Sequence, residues 1–152
     1  MLYQSFHDYY PEIAEKETRC LTLRNDPALP SGTYGFIESY CSDPNCDCRR
    51  VFLSVYHFEK KQFLAVIAYG WEDKAFYAKW MRYGDPEDIA GLKGPCLNQS
   101  SPQSPHAAFL LEKFNMLIAD RSYVERLGSH YEMFKMALPK ERKIKKGKKR
   151  KK

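Results

Sequence analysis

The sequence predicts an α+β fold: an antiparallel sheet of about four strands with a cysteine-bearing hairpin loop, followed by helices packed on one face. Between Thr18 and Trp71, apolar residues alternate or run together in short stretches bounded by Gly, Pro, Asn and Asp, the pattern of strands joined by short links. After Trp71 the apolar spacing lengthens to three and four residues, which lines one face of a helix. The period changes once, so strands and helices are segregated along the chain, unlike the alternation of an α/β domain.

Residues 1–16 are polar and aromatic and read equally as helical or extended. TRCLTLRN (Thr18–Asn25) alternates as a strand and ends at the turn residues of NDPALPSG. TYGFIESYC (Thr33–Cys41) is a second strand, and RRVFLSVYHF (Arg49–Phe58) a third with Val51, Leu53 and Val55 on one face. Lys60–Lys61 reads as a turn into QFLAVIAYGW (Gln62–Trp71), apolar on both sides as a covered strand is. EDKAFYAKWMRYG (Glu72–Gly84) reads as a helix, with acids first and Phe76, Tyr77 and Trp80 on its inner face. Asp85 and Pro86 start a short helix as N-cap and first-turn proline. Two longer helices follow, aligning Leu110, Phe114, Leu117 and Ile118, then Val124, Leu127, Tyr131 and Phe134, with Asp120 placed to cap the second.

The net charge of +6 divides unevenly. Residues 140–152 hold ten of the 25 Lys/Arg and one of the 19 Asp/Glu, a local +9, which leaves 15 basic against 18 acidic residues, or −3, elsewhere. Like charges at that density repel, so the expected organisation is one domain over 1–137 and a disordered basic tail over 138–152. Such a tail binds nucleic acid or another polyanion without sequence preference, through Lys145, Lys146, Lys148, Lys149, Arg150, Lys151 and Lys152. No apolar run reaches the roughly 20 residues of a membrane span, and the first residues lack the basic-then-apolar order of a secretory signal. The expected location is the cytoplasm, where thiols stay reduced.

Three of five cysteines fall within YCSDPNCDCRRV (Tyr40–Val51), spaced Cys41-x4-Cys46-x-Cys48 between two strands. Pro44 and Asn45 favour a tight turn that folds Cys41 toward Cys46, and a hairpin loop of this kind presents three thiolates to one tetrahedral zinc at about 2.3 Å. Arg49 and Arg50 are expected to offset the thiolate charge. A fourth ligand must come from elsewhere: Cys96 and His130 lead, with His106, His57, Cys20, Asp43 and Asp47 behind them. Structural zinc is the leading reading. Its rivals are three uncoordinated buried cysteines, a reactive thiol, and an iron–sulfur cluster, whose plant-type spacing of Cx4CxxC is one residue longer.

No phosphate-binding glycine loop, zinc-protease helix, nucleophile elbow or carboxylate pair occurs, so an enzymatic reading has no motif behind it. The four histidines are scattered and read as surface or packing residues. Trp71, Trp80, Tyr69, Phe76 and Tyr77 can stack a base but read first as core. An enzyme working through an exposed thiolate or an aromatic pocket, with nucleic acid among its candidate substrates, is the alternative to a binding or adaptor module with a protein or polyanion partner.

The order of motifs over residues 15–136 resembles a family of uncharacterised, mainly prokaryotic proteins that carry the YCx4CxCRRV element and often end in a SEC-C zinc motif. The quoted stretches are LPSGTYGFIESYCSDPNCDCRRVFLSV, IAYGWEDKAFYAKWM, GPCLNQSSPQSPHAAFLLEKF and YVERLGSHYEMFK. The resemblance implies a metal site at Cys41, Cys46 and Cys48 and no particular activity. KIKKGKKRKK stands where the SEC-C ligands would follow, so that motif's partner binding is not expected here.

Overall fold

The computed structural model describes residues 2–82 and 84–139, so the expected tail beyond Pro139 lies outside the described residues. The α+β class holds, with a larger sheet than expected. Its strands are β1 (Tyr3–Ser5), β2 (Arg19–Leu23), β3 (Gly32–Cys41), β4 (Arg50–His57), β5 (Gln62–Gly70) and β6 (Cys96–Leu97). The helices are α1 (Pro11–Glu17), α2 (Lys74–Met81), α3 (Pro86–Lys93), α4 (Ala107–Leu117) and α5 (Arg121–Ala137). Four strands match the expected ones within two residues. β1 and β6, of three and two residues, are additions too short to show a period of two.

All pairings are antiparallel, in the order β1-β3-β4-β5-β6, with β2 on the same edge of β3 as β1. Register decides which face each side chain takes. Tyr34 faces His57, Phe36 faces Val55 and Glu38 faces Leu53, so these residues share the inner face with Tyr40 and Val51. A bulge between Val55 and Tyr56 absorbs Leu64 and keeps Ala65, Ile67 and Tyr69 inward on β5.

α4 and α5 cover that face. Leu110 and Phe114 from α4, and Tyr123, Leu127, Tyr131 and Phe134 from α5, join the strand residues in one core. Each such burial contributes about 1.5–3 kcal/mol, and truncating Phe134 to Ala costs about 3–5 kcal/mol. The caps expected from the sequence form: Asp85 Oδ1 accepts from the Asp88 amide and Asp120 Oδ1 from the Ser122 amide. α2 is capped likewise by Asp73, whose Oδ1 accepts from the Phe76 amide. Tyr77 and Tyr69 are buried as expected, but Trp80 is 41 % exposed, since the two-turn helix α2 buries Tyr77 alone. Leu138 is 3 % exposed within the core, so the folded unit runs past the end of α5. No helix among the described residues is long and apolar enough to cross a membrane.

Candidate metal centre

The connection from β3 to β4 is short on apolar contacts of its own and is shaped by hydrogen bonds. The Asn45 amide donates to Asp43 Oδ1 (2.9 Å) and the Cys46 amide to the Asp43 carbonyl (3.1 Å), which closes the turn that Pro44 begins. Arg49 takes a positive φ of 50° and redirects the chain into β4. The Sγ atoms of Cys41, Cys46 and Cys48 then lie within 4.8 Å of one another. Cys41 and Cys48 are buried and Cys46 is half-buried. Zinc bonded to three thiolates at about 2.3 Å holds sulfurs roughly 3.8 Å apart, so closure needs side-chain adjustment at most.

Three surrounding elements hold this loop. From β1, the Leu2 carbonyl accepts from the Ser42 amide (2.9 Å) and hydroxyl (2.8 Å), and the Tyr3 phenol lies 3.8 Å from Cys48 Sγ. From α5, Lys135 Nζ donates to the carbonyls of Cys41 (2.9 Å) and Asp43 (2.8 Å), while the Tyr131 hydroxyl donates to Asp47 Oδ1 (2.8 Å). From α2, the Tyr77 hydroxyl donates to the Arg49 carbonyl (2.7 Å). None of Tyr3, Tyr77, Tyr131 or Lys135 was expected at the site from the sequence. Each reads there as an ordinary core or surface residue, and only the chain's long-range pairing brings them in.

Electrostatics at the trio are those of thiols sharing protons. The hydrogen bond with Cys48 and burial push the Cys41 thiol up, and burial followed by the neighbouring Cys41 pushes Cys46 up. Cys48 is drawn down, chiefly by the hydrogen bond from Cys41, against the opposing effect of burial. A metal ion bound among the sulfurs would compete with the protons they share. The expected offset by Arg49 and Arg50 is corrected. The Arg49 guanidinium pairs with Asp47 (2.9 Å) and Glu72 (3.1 Å) over the Phe76 ring, and Arg50 Nε donates to the Leu92 carbonyl. The nearby cation that lowers Cys41 and Cys46 is Lys135.

The candidate fourth ligands are engaged elsewhere. His130 has both ring nitrogens committed, Nδ1 at 2.7 Å from Glu38 Oε1 and Nε2 at 2.7 Å from Glu17 Oε1, with Phe6 stacked on its ring. Cys96, on the far edge of the sheet, donates to the Gly91 carbonyl. His57 serves the β4–β5 turn, accepting from the Lys60 amide. His106 precedes α4, and Cys20 sits on β2 opposite Gly35. Asp43 and Asp47 are used within the loop. Among the described residues no fourth Cys, His, Asp or Glu joins the three sulfurs. Trp71 packs its ring against Tyr40 and Tyr131, beneath the loop.

Chemically the trio is a soft half-cage of three sulfurs that could hold a thiophilic cation. No family model, curated protein or solved structure matches the chain.

Proposed function

We propose that this chain is a zinc-binding module in which the metal clamps the β3–β4 connection, and that it serves as a binding or adaptor domain for nucleic acid or another polyanion. The observation that carries the metal reading is the convergence of Cys41, Cys46 and Cys48 on a loop tied to three other elements. A trio of thiols, two buried and one half-buried, with no disulfide among them and a loop held by Lys135 and Tyr131, suits an ion that replaces their protons. Three protein thiolates supply three of zinc's four positions.

The polyanion reading rests on the charge of residues 140–152, +9 against −3 for the rest of the chain. Lys145, Lys146, Lys148, Lys149, Arg150, Lys151 and Lys152 are the contacts, each neutralised phosphate steepening the salt dependence by about 0.7–0.9. Two measurements test the parts separately. Metal analysis of the full chain, purified without a histidine tag, yields about one zinc per chain for wild type and none for Cys46→Ser; a folded, metal-free wild type overturns the first part. Removing residues 140–152 abolishes retention on heparin; unchanged retention overturns the second.

A further inference from the structure

The sheet has a second face, turned away from α4 and α5. Its outward positions on β4, in order, are Arg50, Phe52, Ser54 and Tyr56, spaced about 7 Å apart and so spanning roughly 20 Å. Phe63 lies opposite Tyr56 on β5, and Tyr3 stacks on Phe52 with ring centroids 4.1 Å apart. At the turn beyond β4, Phe58 meets the Tyr56 ring edge-on at 5.3 Å. Phe58 and Phe63 are 44 % and 63 % exposed, side by side around Tyr56, whereas the exposed apolar residues of the helices are scattered singly.

Charge is segregated on this face. The registers of all six strands place no Asp or Glu at an outward position, although the body of the chain is acidic. Lys60 and Lys61 are exposed at the turn beside Phe58, and the acid next to them, Glu59, is bound to the Thr33 amide at 2.9 Å. Glu15 on α1 borders the recess on the other side of Phe58. At the other end, Arg50 opens on a recess of about 380 Å³ that it shares with Asn98, Gln99 and Ser100. Among the described residues its terminal guanidinium nitrogens make no hydrogen bond or ion pair, and the group lies 5.7 Å over the Phe52 ring with its outer edge left for an anion.

We infer that this face is a stacking platform for the unpaired bases of a single-stranded nucleic acid, with Phe58 and Phe63 beneath two bases and Arg50 on a backbone phosphate. Aromatic rings on a sheet face whose strand positions carry no carboxylate, ending in a guanidinium with no anionic partner among the described residues, fit bases and phosphates together. A purely apolar partner leaves Arg50 and the exposed lysines unanswered. The inference deepens the polyanion reading above: the cationic segment supplies unspecific attraction, and the platform supplies preference for unpaired strands. The metal loop adjoins the platform, since Tyr3 touches both Cys48 and Phe52.

The test is fluorescence anisotropy of a labelled mixed-sequence DNA 12-mer, single-stranded and duplex, with the zinc-loaded full chain. Phe58→Ala/Phe63→Ala is expected to weaken single-strand binding at least about tenfold, with duplex binding and the salt slope unchanged. Phe63→Trp is expected to retain single-strand affinity, with its indole fluorescence quenched on binding. Deleting residues 140–152 lowers both affinities and flattens the salt slope; if it changes neither, the tail reading fails while the platform stands. The platform is overturned if the double variant, with an unchanged circular dichroism spectrum, binds the single strand as wild type does. It is equally overturned if that variant only converts a wild-type dimer to a monomer, which makes the face a contact between copies.

Discussion

Replacing His130 by Leu isolates the largest electrostatic commitment in the core. His130 and Glu38 are both buried, joined at 2.7 Å, and Glu38 Oε1 also accepts from the Tyr40 hydroxyl at 2.7 Å. His130 in turn holds Glu17, whose side chain is 44 % exposed, so that second pair is worth less than about 1 kcal/mol. His130→Leu fills most of the imidazole's volume but leaves the Glu38 carboxylate without its cation. Breaking a buried pair on one side costs about 3–5 kcal/mol, a large share of the roughly 5–15 kcal/mol that holds a domain folded. With a urea dependence near 2 kcal/mol per molar, the midpoint falls by about 2 M. The double variant Glu38→Leu/His130→Leu removes both charges, and Tyr40 keeps the Leu127 carbonyl at 3.0 Å, so it is expected to be more stable than the single variant. Acidity adds a second readout. Burial opposes the His130 charge, but contact with Glu38, and then with Glu17, outweighs it and raises the imidazolium pKa. A raised folded-state value gives stability that is complete below about pH 6.5 and lost as pH rises through that value; the double variant lacks this loss. Glu17, drawn down mainly by its hydrogen bond from His130, works in the opposite direction and loses its contribution as pH falls through its lowered value. Urea titrations followed by circular dichroism at pH 6 and pH 9 measure the His130 effect, which falls inside that window, whereas the Glu17 effect falls below it. A single variant within 1 kcal/mol of wild type, or no more sensitive than the double, refutes the reasoning.

Tyr123→Phe is expected to raise stability by about 1 kcal/mol, because the Tyr123 hydroxyl is buried with no hydrogen-bond partner among the described residues; a clear fall in urea midpoint argues otherwise. Gly94→Ala is expected to lower the melting temperature, since Gly94 has a φ of 58° and an added Cβ meets the Ala68 carbonyl; calorimetry detects it, and an unchanged transition contradicts the close approach. Tyr131→Phe removes the bond to the half-exposed Asp47 and is expected to cost about 1 kcal/mol and to speed loss of zinc to a chelator; stripping at the wild-type rate detaches α5 from the metal loop.

The long strands and helices were legible because their apolar periods persist over enough residues to distinguish two from 3.6. YQS at β1 and CL at β6 offer no period, and they form because β3 and β5 have edges left to pair. The cysteine trio was legible because its ligands are local. The fate of His130 was not, since its partners lie 92 and 113 residues away. One signal was available: Glu38 stands between Phe36 and Tyr40 on the inward period of its strand, and a carboxylate there needs a buried partner. The ties from Tyr3, Tyr131 and Lys135 leave no mark in the sequence, because a tyrosine or lysine in a helix or strand looks the same with or without a loop to hold.

The metal clamp is tested most directly by X-ray absorption at the zinc edge of the purified full chain. Three sulfur neighbours at about 2.3 Å, with the zinc edge lost in Cys46→Ser, are the predicted result. A zinc signal with only oxygen and nitrogen neighbours, or one unaltered by Cys46→Ser, contradicts it.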